Sequence, residues 1–164
     1  ASIGLLGAMP LEPSPADPAQ GIGRIGSLPA PTRLRDLADA VAAALPDSPP
    51  GILVGGDLDA TVETIAVSGG AGDSLLARAR EAGADVFLTA DLRHHPASEH
   101  LEAGRPYLIC GTHWATEWVG LPPLAQRLAS AAERSGRRLS THVSTICTDP
   151  WTLRLSTAAS PAKQ

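Results

Sequence analysis

Asp85-Val86-Phe87-Leu88-Thr89 is followed by the polar loop Ala90-Asp91-Leu92-Arg93-His94-His95. After Pro106 the same grammar repeats: Tyr107-Leu108-Ile109-Cys110, then Gly111-Thr112-His113-Trp114-Ala115-Thr116-Glu117. Each half is a short apolar run of strand length that empties into a loop rich in donors and acceptors. Between them, His95 to Ala103 reads as a helix closed by Gly104. Strand–helix–strand at this spacing predicts an α/β fold, a mixed or mostly parallel sheet with covering helices.

Working outward extends the pattern. Val62 to Val67 reads as a strand, and Ser74 to Glu81 as a helix closed by Gly83. Upstream, Leu34, Leu37, Ala38, Val41 and Leu45 recur at helical spacing, which predicts a helix from Pro31 to Leu45 with Thr32 as N-cap. Ile52-Leu53-Val54 reads as a short strand. Downstream, Thr116 to Ser135 reads as largely helical, with Pro122 and Pro123 tolerable near a restart, and Leu139 to Cys147 reads as strand. Residues 1–31 carry Pro10, Pro13, Pro15, Pro18, Pro29 and Pro31 around a glycine-rich stretch, and read as an irregular linker or extended segment. The expected organisation is a linker over 1–31, an α/β domain over 32–155 and a flexible tail over 156–164.

Composition narrows the class. Hydrophobic residues make up 43% and charged residues 18% of 164 residues, enough for one cored domain. Aromatics are only 3%, so Ala, Leu, Val and Ile must build the core. The net charge of −4 and the absence of a basic run argue against a dedicated nucleic-acid surface. No apolar run is long enough for a membrane span, and the N-terminus has no charged-then-apolar leader pattern, so the cytoplasm is the default expectation. Cys110 and Cys147 sit in apolar, β-like runs and read as buried structural thiols.

Three polar loops fall at the carboxyl ends of expected strands, where ligands collect in open α/β sheets. His113 and Glu117 are four apart, so on a helix they share a face and offer a nitrogen and a carboxylate to a Zn, Fe or Mn ion. The same spacing also suits a plain His–Glu hydrogen bond. Asp91, His94 and His95 carry two readings. Either the loop curls so that they line a site, with His94 or His95 orienting substrate or moving a proton, or Asp91 caps a helix and the histidines are solvated. Ser68-Gly69-Gly70-Ala71-Gly72-Asp73 reads as a tight turn or as an anion cradle. His100 and His142 read as surface or structural.

These strings, with Ile65-Ala66-Val67 before the glycine loop and Val143-Ser144-Thr145 and Thr148-Asp149-Pro150-Trp151 near the end, resemble the NGG-interacting-factor-three-like family of dinuclear metal-centre proteins. Members are often catalogued as GTP cyclohydrolase 1 type 2 homologues, and the ending is similar to the family's actinobacterial branch. The resemblance spans about residues 21–155 in family order. It implies the second half of a two-half α/β fold, with two divalent ions per complete site. It matches His113 and Glu117 to metal ligands and Asp91 to His95 to a cleft-lining segment. The family's other ligands lie in a first half that would precede Ala1, so the resemblance implies an incomplete centre in this chain. It also implies a homo-oligomer and hydrolase-like chemistry on a nucleotide or related small molecule. A non-enzymatic metal-binding adaptor or oligomeric scaffold is the competing expectation.

Overall fold

The computed structural model describes residues 4–156. Among these described residues eight strands form: β1 (Leu6–Met9), β2 (Glu12–Pro13), β3 (Gly21–Ile22), β4 (Arg24–Arg33), β5 (Leu53–Gly55), β6 (Thr61–Ala71), β7 (Val86–Ala90) and β8 (Tyr107–Gly111). Five α-helices join them: α1 (Leu34–Ala44), α2 (Leu76–Glu81), α3 (His94–Glu102), α4 (His113–Trp118) and α5 (Leu121–Arg134). Six strands make one mixed sheet in the order β1-β4-β6-β7-β8-β5, and β2 pairs with β3 apart from it. Only β6–β7 and β7–β8 are parallel. β1–β4, β4–β6 and β5–β8 are antiparallel.

Side-chain alternation along the strands sorts the core onto the two faces of the sheet. Ala66, Phe87 and Leu108 lie opposite one another across β6, β7 and β8. They pack with Leu75, Leu76 and Ala79 around α2, and with Ala97 and Leu101 of α3. One residue away, Ile65 and Val86 turn to the other face with Ile109 and meet Leu34, Leu37, Ala38 and Val41 of α1. Phe87 is the one buried aromatic residue in these clusters, with Tyr107 packed half-buried against the second, as an aliphatic-rich chain requires.

The N-terminal part departs from expectation. Residues 6–33 contribute four strands, so the domain begins well before residue 32. β4 tolerates Pro29 and Pro31 because its pairing with β6 is interrupted between Ser27 and Thr32. Neither proline is asked for a ladder hydrogen bond there. Thr32 is not the N-cap of α1. Arg33 holds that position without a side-chain bond. The amides of Leu34 and Arg35 instead donate to the carbonyls of Ala60 and Leu58, both at 3.0 Å.

The C-terminal part departs too. The helical stretch expected over 116–135 does restart at its prolines, as two helices, because Pro122 lacks an amide hydrogen and suits the first turn of a new helix. Leu139 to Cys147 forms no strand. Cys147 is therefore exposed, while Cys110 in β8 is half-buried. The flexible tail expected over 156–164 lies outside the described residues but for Ser156. Among the described residues no helix is long and apolar enough to cross a membrane.

Candidate metal centre

The parallel strands end level with one another: Ala71 pairs with Ala90, and Ala90 with Gly111. The three loops that follow therefore start side by side, and polar contacts tie each to the next. Gly70 donates its amide to Thr116 Oγ1 at 3.0 Å, joining the first loop to the third. Arg93 pairs with the Asp73 carboxylate and joins the second to the first. His113 Nδ1 meets Asp91 Oδ2 at 2.6 Å and joins the third to the second.

α4 starts at His113 because Thr112 caps it, its Oγ1 accepting from the Ala115 amide at 3.4 Å. His113 and Glu117 then stand one turn apart, with Nε2 3.3 Å from Glu117 Oε1. The Asp91 contact fixes the ring. In the neutral ring, Nδ1–H donating to that carboxylate leaves the lone pair on Nε2, toward Glu117. This is the carboxylate–histidine arrangement that orients metal-binding imidazoles. The bonded Asp91 carboxylate raises the His113 pKa; burial opposes the rise and Glu117 adds to it. A cation at Nε2 would compete with that proton.

Asp91 and Gly70 are shaped for this neighbourhood. Asp91 has φ +52°, a left-handed conformation that non-glycine residues adopt rarely and Asp more readily than most. Gly70 has φ +69°, and a Cβ there would sit 2.7 Å from Glu117 Oε1 and 3.3 Å from His113 Nε2. The missing side chain leaves the space that the pair occupies. Gly72 is needed for a different close approach, since its Cβ would fall 2.0 Å from Thr89 Oγ1. The amides of Gly70 and Gly72 are engaged by Thr116 and by the Ala90 carbonyl, so the loop serves as close packing and those amides are not free for an anion.

The donor set suits a borderline divalent ion, an imidazole nitrogen and a carboxylate with an oriented second carboxylate behind the ring. It is a pair, however. Among the described residues no group of three or more His, Cys, Asp or Glu side chains is placed to hold a metal. His94 and His95 are not brought to it. Both are exposed on the first turn of α3, ring against ring with centroids 5.2 Å apart. His94 borders a separate shallow pocket with Leu101 and Leu108. Asp91 caps no helix, because Arg93 takes the N-cap of α3. His100 is structural: it is buried, with Nε2 2.9 Å from the Pro106 carbonyl and Nδ1 3.2 Å from Arg80.

Asp91, His113 and Glu117 line a cleft of about 650 Å³. Trp114, Trp118, Asp149 and Trp151 line it as well, and sequence reasoning gave them no role. The signal was there for two of them. Trp114 and Trp118 repeat the four-residue spacing of His113 and Glu117, one position on.

Fold and site together define an α/β domain that carries a His–carboxylate pair at the carboxyl edge of its parallel strands. The family model of Duf34/NIF3 (NGG1p interacting factor 3) matches residues 1–150, and the chain belongs to that family. A Streptomyces coelicolor protein named GTP cyclohydrolase 1 type 2 homolog is 48% identical over 151 residues, which cover 91% of this chain and 53% of that protein. A Mycobacterium tuberculosis protein of the same name is 46% identical over 139 residues, covering 85% of this chain and 36% of that one. The chain thus spans about half, or less, of the length of these relatives. Among solved structures, a Bacillus cereus protein related to NIF3 superposes with a TM-score of 0.72 at 28% identity, covering 81% of this chain and 36% of that one.

Proposed function

We propose that this chain supplies one side of a dinuclear divalent-metal centre, with His113 Nε2 and the Glu117 carboxylate as its ligands. The observation that carries the proposal is the oriented pair itself: Asp91 fixes the imidazole, and Gly70 leaves room for Nε2 and Oε1 to converge. Zn, Fe and Mn all accept such donors. When bound, divalent ions supply positive charge for a developing oxyanion and acidify a water. Asp91 holds the ring tautomer, and the cleft beside the pair receives a small molecule. The name of the relatives, GTP cyclohydrolase 1 type 2 homolog, supports hydrolase-like chemistry on a nucleotide or related compound; a cytoplasmic homo-oligomer is the setting proposed for it. His94 and His95 stand apart from this cleft and take no part in the chemistry proposed.

Two protein ligands hold a metal weakly, so the chain alone should bind it with low affinity and lose it on dialysis. Calorimetric titration with Mn²⁺ or Zn²⁺ tests both statements. His113→Ala and Glu117→Gln should each abolish the binding. Variants that titrate like the parent chain would refute the ligand assignment. Tight, stoichiometric metal surviving dialysis would refute the incomplete centre.

A second reading, a metal-binding scaffold without catalysis, draws on α5. That helix buries none of its residues and exposes Leu121, Leu124 and Leu128 along one side. Metal-loaded protein that assembles through α5 and turns over no nucleotide, phosphoester or ring substrate would favour it.

A further inference from the structure

We propose that Trp114, Trp118 and Trp151 form a ring-stacking subsite for a planar heteroaromatic ligand beside His113 and Glu117. This deepens the proposed function by naming the ligand chemistry of the same cleft, but ring binding itself does not depend on a metal.

The chain has three tryptophans, and all three line this one cleft. Its single Phe lies in the core, whereas Trp151 is 65% exposed and Trp114 and Trp118 are half-buried. Large aromatic surface left at a cleft wall is surface that a ligand can cover. Trp114 and Trp118 have ring centroids 6.1 Å apart at 46°, and as immediate neighbours of the ligand pair on α4 they run beside it. The wall is fixed in advance. Trp118 Nε1 donates to the Ser144 carbonyl at 2.6 Å, and the Trp114 amide donates to Asp149 Oδ1 at 3.1 Å. These two bonds hold Ser144 and Asp149 against α4, and Trp151, two residues beyond Asp149, lines the same cleft. A fixed wall binds without an ordering cost.

The remaining chemistry selects the ring. Asp149 lines the cleft, and the neighbour of its Oδ2 is the Cys147 thiol at 4.0 Å, a weak donor. That oxygen can accept from a ring N–H or an exocyclic amine. A nucleobase satisfies both the stacking and the acceptor. The cleft volume of about 650 Å³ lies within the range of small-molecule sites.

Because every tryptophan is in the cleft, indole emission reports this site alone. The chain is titrated in EDTA with guanosine, adenosine or ribose 5-phosphate. Saturable quenching by a nucleoside, without quenching by ribose 5-phosphate, is the expected result. Trp151→Leu should weaken nucleoside binding by about five- to 150-fold, the affinity equivalent of stacking on one base. Its exposure makes it the safer variant. Trp118→Leu, checked for folding by circular dichroism, should act in the same direction. Three outcomes would overturn the subsite: no saturable quenching by either nucleoside, equal quenching by ribose 5-phosphate, or emission that shifts only with protein concentration, which marks a protein interface. Running the titration in EDTA keeps it separate from the metal test, so either reading can fail without the other.

Discussion

Replacing Gly70 by alanine separates two costs that a site glycine usually confounds. The first is conformational. At φ +69° an alanine pays for a left-handed backbone, about 1–2 kcal/mol. For a chain of this length that lowers Tm by roughly 2–4 °C per kcal/mol. The second is local. The new Cβ would sit 2.7 Å from Glu117 Oε1, and ordinary contact begins at 3.4 Å, so the carboxylate must retreat by about 0.7 Å. A flexible glutamate yields cheaply, so this shift adds little to the loss of stability. It does move the oxygen well beyond the roughly 0.2 Å tolerance of metal coordination. Metal affinity should therefore drop at least about tenfold, the scale seen when the supports of a ligand are lost. Gly83 is the control. Its φ is +75°, and a Cβ there meets nothing within 4 Å. Gly83→Ala should lose similar stability in thermal melts and keep the metal titration of the parent. If Gly70→Ala binds metal like the parent, or if Gly83→Ala loses binding equally, the proposed space for the pair is not what Gly70 provides.

Further outcomes follow from neighbouring contacts. Asp91→Asn keeps a similar shape but removes the charge behind the ring, and should weaken metal binding by about 10–100-fold in the same titration. Asp85 accepts from the amides of Glu63 at 2.9 Å and Thr64 at 3.0 Å, and pairs with Arg105. Burial works to raise its pKa, but the Thr64 and Glu63 amides and Arg105 outweigh it and hold the carboxyl below its usual range. That stabilisation is present above the unfolded-state pKa and lost as pH falls through the folded one. Asp85→Ala should cost about 1–3 kcal/mol at neutral pH in denaturant melts, with the difference shrinking in acid. Burial lowers the His100 pKa, with Arg80 adding to the effect and the Pro106 carbonyl opposing it. Its contribution is full above the ordinary histidine pKa and declines as pH falls, so its imidazole NMR titration should have a midpoint below about 6.5.

How much the sequence reveals differs from element to element, for physical reasons. β7 and β8 are legible because strands covered on both faces read as continuous apolar runs, and β6 because Val62, Ile65, Ala66 and Val67 are apolar and largely β-branched. β4 is not, because its prolines signal loop while a local break in register removes the need for their hydrogen bonds. Leu139 to Cys147 has β-branched composition and still forms no strand. β-propensity describes fit to a neighbouring strand, and this segment is held instead by Ser144, and just beyond it by Asp149, against two tryptophans. His113 and Glu117 were legible through spacing, which needs only one helical turn. The Asp91 contact was not, because it depends on a left-handed residue 22 positions away in another loop.

That dependence locates the candidate site in the register of the sheet rather than in α4. His113 sits on a six-residue helix, too short to be stable alone. The helix is fixed by Thr116, which meets Gly70 at the end of β6, and by His113, which meets Asp91 after β7. Both contacts exist because Ala71, Ala90 and Gly111 stand level across three parallel strands. A slip of one residue between β7 and β8 would reverse every side chain of one strand relative to the core. It would also carry His113 away from Asp91. The alternation that places Phe87 and Leu108 on one face and Val86 and Ile109 on the other forbids that slip. The apolar core thereby sets the position of an imidazole that it does not touch.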